Sequence, residues 1–297
     1  MNTRARGIAI AFCTAVVSGV SIYLNGKAVK HFGDATVYTT AKNAVAGLLL
    51  LSLAIVPSHG GEPLRATKRW SALLVVAVIG GSVPFVLFFE GLARAQATQA
   101  SFIQKTLVVW VARMAVPLLK ERLRAPHALA ICLLIGGQAW LVGSVGHVAF
   151  GAGETMILAA TLLWAVEVVY VKRLLGSLAP RVVAVARMGL GTILLVGWLA
   201  VTGRLGQLAS LDGVQWRWIL ISGLLLTAYV ATWYAALARA QAVDVTAVLV
   251  FGAVVTAVLS GAAVGTRINL PATVLVTLGT AIVAAAALRP SEQRAPA

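Results

Sequence analysis

Leu92 to Ala97 reads LARAQA, and Leu237 to Ala242 reads LARAQA again. The offset from Leu92 to Leu237 is 145 positions, close to half of the 297-residue chain. Carried along without gaps, the same register lays Lys42 on Arg187, each a lone cation inside an apolar run. It also lays Arg122 on Arg267, each just beyond the end of such a run. Matched charges and matched hydrophobic blocks in one register read as two copies of one unit. The expected division is residues 1–146 for the first copy and 147–297 for the second, joined in a single integrated domain.

Composition says what that unit is. Hydrophobic residues make up 60 % of the chain and charged residues 11 %, and the mean hydropathy is +0.93. A soluble domain carries about 25 % charged residues, so most of this surface must face lipid. The formal charge of +15 then reads as basic residues held at one membrane face, not as nucleic-acid binding. Cys13 and Cys132 both fall inside apolar segments and read as small packing residues without a disulfide.

Breaks at glycine, proline and charge clusters divide the chain into ten runs of the length a membrane helix needs, about 20 residues. They are Gly7–Leu24, Thr36–Val56, Ser71–Ala93, Ala97–Leu119, Pro126–Gly146, Gly153–Val171, Val182–Val201, Trp216–Ala238, Val243–Val264 and Leu270–Leu288. The runs are too long for strands, so the expected fold is an all-α membrane protein of ten transmembrane helices. The first run superficially looks like a signal peptide, but its repeat partner near residues 152–169 argues for retention. With the N-terminus in the cytoplasm, fourteen Lys and Arg fall in inner connections and six in outer ones. That bias places both termini inside a bacterial-type cytoplasmic (inner) membrane. Five spans per copy is an odd number, so the second copy enters from the opposite side. The result is two inverted repeats, an arrangement that lets a central site open to either side in turn.

The block FFEGLARAQATQASFIQKTL (residues 88–107), then VPLLKERLRAPHALAICLLIGGQAWLVG (116–143), resembles the drug/metabolite transporter superfamily, in particular its ten-helix EamA-type branch. Glu121 and Arg122 match the Glu-Arg pair that ends the family's fourth helix. The second half repeats the pattern with YAALARAQAVDVTAVLVFGAVV (234–255). Two departures stand out: Gly265-Thr266-Arg267 replaces Gly-Glu-Arg, and the ninth helix lacks its usual proline. The resemblance implies movement of small metabolites, often outward, such as amino acids and related compounds. An aromatic amino-acid exporter branch is a neighbour it brings into view.

Ionisable groups at bilayer depth are costly and tend to face a cavity or a partner. Lys105 and Arg113 lie eight residues apart on the fourth span with Ser101 in line, and Gln104 adds polarity. This basic stripe is expected to line a cavity and hold a carboxylate through charge-assisted hydrogen bonds. Lys42 with Glu90, and Glu167 with Arg187, match in depth and are expected to form ion pairs that gate or brace each half. Trp164 and Tyr38 are the expected aromatic cavity residues. Pro84, after Gly80 and Gly81, is a candidate hinge. Gly136, Gly137, Gly143 and Gly146 give the fifth span a small face suited to close packing. Glu154, at a helix start, reads as interfacial.

Enzyme chemistry is not expected. His31, His59, His127 and His147 fall in loops or at span ends, and no HExxH, GxSxG or Walker pattern occurs. A purely structural protein or receptor would need neither an inverted duplication nor charges in mid-span. The expected partners are a small-molecule metabolite and the lipid bilayer, without cofactor, metal or nucleic acid. A proton-coupled exporter of cationic drugs is the alternative, with Glu167 the only acid placed to carry the proton. Four cations within spans (Lys42, Lys105, Arg113, Arg187) against Glu90 and Glu167 favour carboxylate-bearing solutes.

Overall fold

In lipid a backbone must satisfy its own N–H and C=O groups, and within a single segment only the helix does so. The computed structural model accordingly contains helices and no strand among the described residues, which are 3–55, 69–95, 97–121, 123, 125–141, 150–264 and 269–288. The α-helices are α1 (Thr3–Ala28), α2 (Ala35–Ile55), α3 (Trp70–Val76), α4 (Val83–Arg94), α5 (Ala97–Lys105), α6 (Leu107–Leu119) and α7 (Ala125–Leu141). They continue with α8 (Ala152–Leu174), α9 (Pro180–Val201), α10 (Gly213–Leu237), α11 (Ala242–Leu249), α12 (Gly252–Val264) and α13 (Leu270–Leu288). A π-helical turn, Ala77–Ser82, joins α3 to α4.

Among the described residues, nine helical stretches are long and apolar enough to cross a bilayer, with α3–α4, α5–α6 and α11–α12 each counting as one. The tenth, α7, is a shorter apolar helix of 17 residues. Residues 142–149 beyond it, with Gly143 and Gly146, lie outside the described residues. Leu48, Leu53, Ile55, Ile193, Val201 and Leu224 are all more than half exposed. Such a coat is stable against acyl chains and would be costly in water. Cys13 and Cys132 are free, and both belong to this exposed coat, not to the packed interior.

Polar residues fix the helix ends. Asp34 Oδ1 accepts from the N–H groups of Thr36 and Val37 (2.8 and 3.1 Å) at the start of α2. Asp212 and Gln215 form a reciprocal capping box at the start of α10. Glu154 reaches back to the Gly151 N–H at the start of α8.

The main packing pairs are α7 with α13, α4 with α8, α1 with α10, and α2 with α9. Every one joins the first half of the chain to the second. Exchanging each span for the one five places along maps this set onto itself. Small residues permit the closest approaches. A Cβ added at Gly81 would lie 2.0 Å from the Arg187 carbonyl oxygen of α9, so nothing larger fits without moving a backbone. Gly137 packs against Ala272 and Val276 of α13.

The repeat is legible in the helix breaks. The fourth span breaks at Thr106, whose N–H bonds the Ile103 carbonyl at 3.1 Å. The ninth breaks at Phe251, whose N–H bonds the Val248 carbonyl at 3.0 Å. Thr106 and Phe251 are equivalent in the 145-residue register. The third span departs from the symmetry: Pro84 and the π-helical turn interrupt it, whereas its counterpart α10 runs unbroken for 25 residues.

Candidate polar cavity at the helix breaks

Helices interrupted at matching places in two repeats mark a binding site near the bilayer midplane. A cavity of about 90 Å³ lies there. Sites for drug-sized ligands are commonly about 300–1,000 Å³, so the chamber is narrow in this conformation. Lys105 ends α5, beside the first break, and Leu249 and Val250 lie at the second; all three line the cavity.

One wall follows from Pro84. Proline has no N–H and clashes with the carbonyl four residues back, here Gly80. The Gly80 carbonyl instead accepts from Trp164 Nε1 at 3.2 Å and from Arg187 Nε at 3.1 Å. One imino acid on the third span thus anchors an indole from α8 and a guanidinium from α9. Gly80 also permits this crowding: an added Cβ would lie 2.7 Å from Glu167 Cγ and 3.2 Å from Arg187 Nε.

Lys42, Lys105 and Arg187 line the cavity, and Glu167 is the carboxylate that lines it. Lys105 Nζ donates to Ser18 Oγ at 3.2 Å. Lys42 Nζ stands 3.6 Å from the centre of the Phe89 ring and 5.5 Å from that of Phe85, within cation–π range. The Arg187 guanidinium carbon is 5.7 Å from the ring centres of both Phe85 and Tyr234. Its Nη1 is buried with no hydrogen-bond acceptor among the described residues. Gln104 lines the cavity too, and its Oε1 is likewise buried without a donor. Phe85 and Phe88 pack on Trp164 with ring centres 5.5 and 5.4 Å apart, and Tyr229 stacks on Trp233 across the chamber.

The structure brings Lys105, Gln104, Trp164, Lys42, Glu167 and Arg187 together on one cavity. Other expected positions fall elsewhere. Arg113 is exposed on α6 and does not line the chamber: eight residues at 3.6 per turn overshoot two turns, which sets it about 80° round the helix from Lys105. Ser101 is buried behind the wall and does not line the chamber. Tyr38 is also behind it, its hydroxyl bonded to Asn25 Oδ1 at 2.5 Å and to Ser222 Oγ at 2.7 Å. The Lys42–Glu90 ion pair does not form. Glu90 accepts from Thr36 Oγ1 at 2.7 Å and pairs with Arg94 one turn on at 2.6 Å, while aromatic rings hold Lys42. Glu167 and Arg187 meet around Gly80 but make no direct ion pair: Tyr234 donates to Glu167 Oε1, and Arg187 bonds the Gly80 carbonyl. Sequence reasoning passed over Ser18 and Asn25 of α1 and the Phe85–Phe89 face. The i, i+3, i+4 spacing of Phe85, Phe88 and Phe89 was the available signal.

Comparison with known proteins agrees with this architecture. The profile of the EamA-like transporter family matches residues 5–143 and again 151–288. A protein of Synechocystis sp. described as an uncharacterized transporter is 25 % identical over 217 residues, 68 % of this chain. The aligned stretch spans 62 % of that relative's length. A solved crystal structure superposes with a TM-score of 0.74 at 18 % identity, covering 94 % of this chain and 98 % of the other, which speaks to the fold alone. Two family matches that together cover nearly the whole chain, with nine membrane-length apolar helices and one shorter one among the described residues, make it an integral membrane protein and a member of the EamA-like transporter family.

Proposed function

We propose that the protein moves small carboxylate-bearing metabolites, amino acids among them, out across the cytoplasmic membrane by alternating access around this cavity. The observation that carries the reading is the Arg187 Nη1 donor, buried without an acceptor among the described residues, on a chamber that also holds Lys42 and Lys105. A carboxylate supplies the missing acceptor through a charge-assisted hydrogen bond. The Phe85–Phe88–Trp164 and Tyr229–Trp233 walls suit an apolar or aromatic side chain on the same solute. Outward direction rests on family resemblance, and cytoplasmic termini on the Lys and Arg bias.

The test is counterflow in proteoliposomes with a panel of amino acids, their carboxamide analogues and cationic dyes, with and without a pH gradient. Acids should exchange and carboxamides should not. A charged hydrogen bond is worth about 1.5–3 kcal/mol, so Arg187→Gln should raise the KM for acids by about tenfold to a hundredfold. Glu167, which lines the same chamber, supports a second reading: proton-coupled export of cationic drugs. Dye transport driven by a pH gradient and abolished by Glu167→Gln, with acids not carried, would replace the first reading by the second.

A further inference from the structure

The geometry points to a charged gate at the membrane face that carries the N-terminus, with Asp244 as its centre. The inference rests on alternating access but on no particular substrate. Asp244 lies in the first turn of α11 with its side chain fully buried. Its Oδ2 accepts from Arg4 Nη2 of α1 at 2.8 Å, and its Oδ1 meets His127 Nε2 of α7 at 3.1 Å. Glu121, just beyond α6, accepts from the N–H groups of Ala242 and Val243 at 2.7 and 3.1 Å. A first-half carboxylate thereby caps a second-half helix, where the helix dipole favours an anion. Lys172, at the end of α8, donates to the Leu237 and Ala240 carbonyls, both at 2.5 Å, and closes the α10 end. Arg173 beside it donates to the Leu118 carbonyl of α6 at 2.6 Å.

These bonds tie α1, α6 and α7 of the first half to α8 and α11 of the second, directly beneath the chamber. Thr246 lines the cavity and lies two residues along α11 from Asp244. No path can open from the cavity to this face while α11 stays bound to Arg4, His127 and Glu121.

The opposite face is built differently. In the 145-residue register Asp244 corresponds to Gln99 and Glu121 to Thr266, so the duplicated copy has no acid at either place. Lys172 corresponds to Lys27, which stands 4.5 Å over the Tyr23 ring and makes no such cap. Among the described residues the opposite face has no counterpart of the Asp244–Glu121 arrangement; its tie between the halves is the Arg204–Asp34 pair at 2.8 Å. Release of Asp244 is therefore the step that exposes the cavity to this side, and the residue positions the two halves without touching solute.

Accessibility tests this without a substrate. Thr246→Cys, in a background with Cys13→Ala and Cys132→Ala, reports the cavity floor to a membrane-impermeant maleimide added on the N-terminal side of oriented vesicles. With the gate intact, labelling is slow. Asp244→Asn should speed it at least about tenfold, and Arg4→Gln, at a part-exposed residue, should speed it by a smaller factor. Arg204→Gln breaks the Arg204–Asp34 pair of the opposite face (2.8 Å) and should leave labelling from the N-terminal side unchanged. Unchanged labelling in Arg4→Gln and Asp244→Asn, with retained melting temperature, overturns the gate. Equal acceleration by Arg204→Gln also overturns it, since that means general loosening. Failure of acid counterflow would remove the substrate reading and leave this readout intact.

Discussion

Arg187 shows how much one side chain can depend on a residue far away in sequence. Its Nε is held by the Gly80 carbonyl, and its Nη1 has no acceptor among the described residues. A cation so placed is anchored at one nitrogen and open at another, the condition for binding an anion without first breaking an ion pair. Lys42 is held differently, over the Phe89 ring beside the cavity. Stability at this scale depends on missing side chains too. Gly81→Ala would place a Cβ 2.0 Å from the Arg187 carbonyl oxygen, where only backbone movement makes room. Overpacking of this kind costs about 1–3 kcal/mol or more, so the variant should melt several degrees lower in detergent. An unchanged melting temperature would show that the α9 contact is looser than described.

At the scale of elements, the third span is the informative one. Pro84, which has no N–H to offer, follows the π-helical turn, and the Gly80 carbonyl accepts from Trp164 of α8 and Arg187 of α9. Pro84→Ala restores the N–H and lets that carbonyl return to intrahelical bonding. The Trp164 and Arg187 anchors should then be lost. Transport should fall several-fold while the protein stays folded, measured as counterflow rate beside a thermal melt. An unaltered rate would mean that the bend is a passive feature of the helix. The sequence exposed Pro84 as a break but could not show what the Gly80 carbonyl binds, because its partners lie 84 and 107 residues further along the chain. The breaks at Thr106 and Phe251 were not legible at all. No proline marks either one, and an apolar run looks alike whether its helix is continuous or interrupted.

For the whole molecule, the main contacts join one half to the other, so the halves are not separate bodies that touch at a seam. An inverted pair of this kind has both ends on one side. Reporter fusions at each terminus should therefore give the same cytoplasmic signal, and opposite signals would break the topology. The fold class, the duplication and the low-charge membrane surface were determined by sequence, because burial in lipid depends on composition and run length, which need no partner. Lys42, Lys105, Glu167 and Arg187 stood out in sequence for the same reason: a charge inside an apolar run is conspicuous wherever it ends up. Which charges meet was decided only by the tertiary structure. Arg113 left the cavity, Glu90 turned to Arg94, and Asp244, unremarkable in sequence, became the point where three helices are tied. Ion pairing acts over a few ångströms, and helix rotation and breaks set those distances, not spacing along the chain.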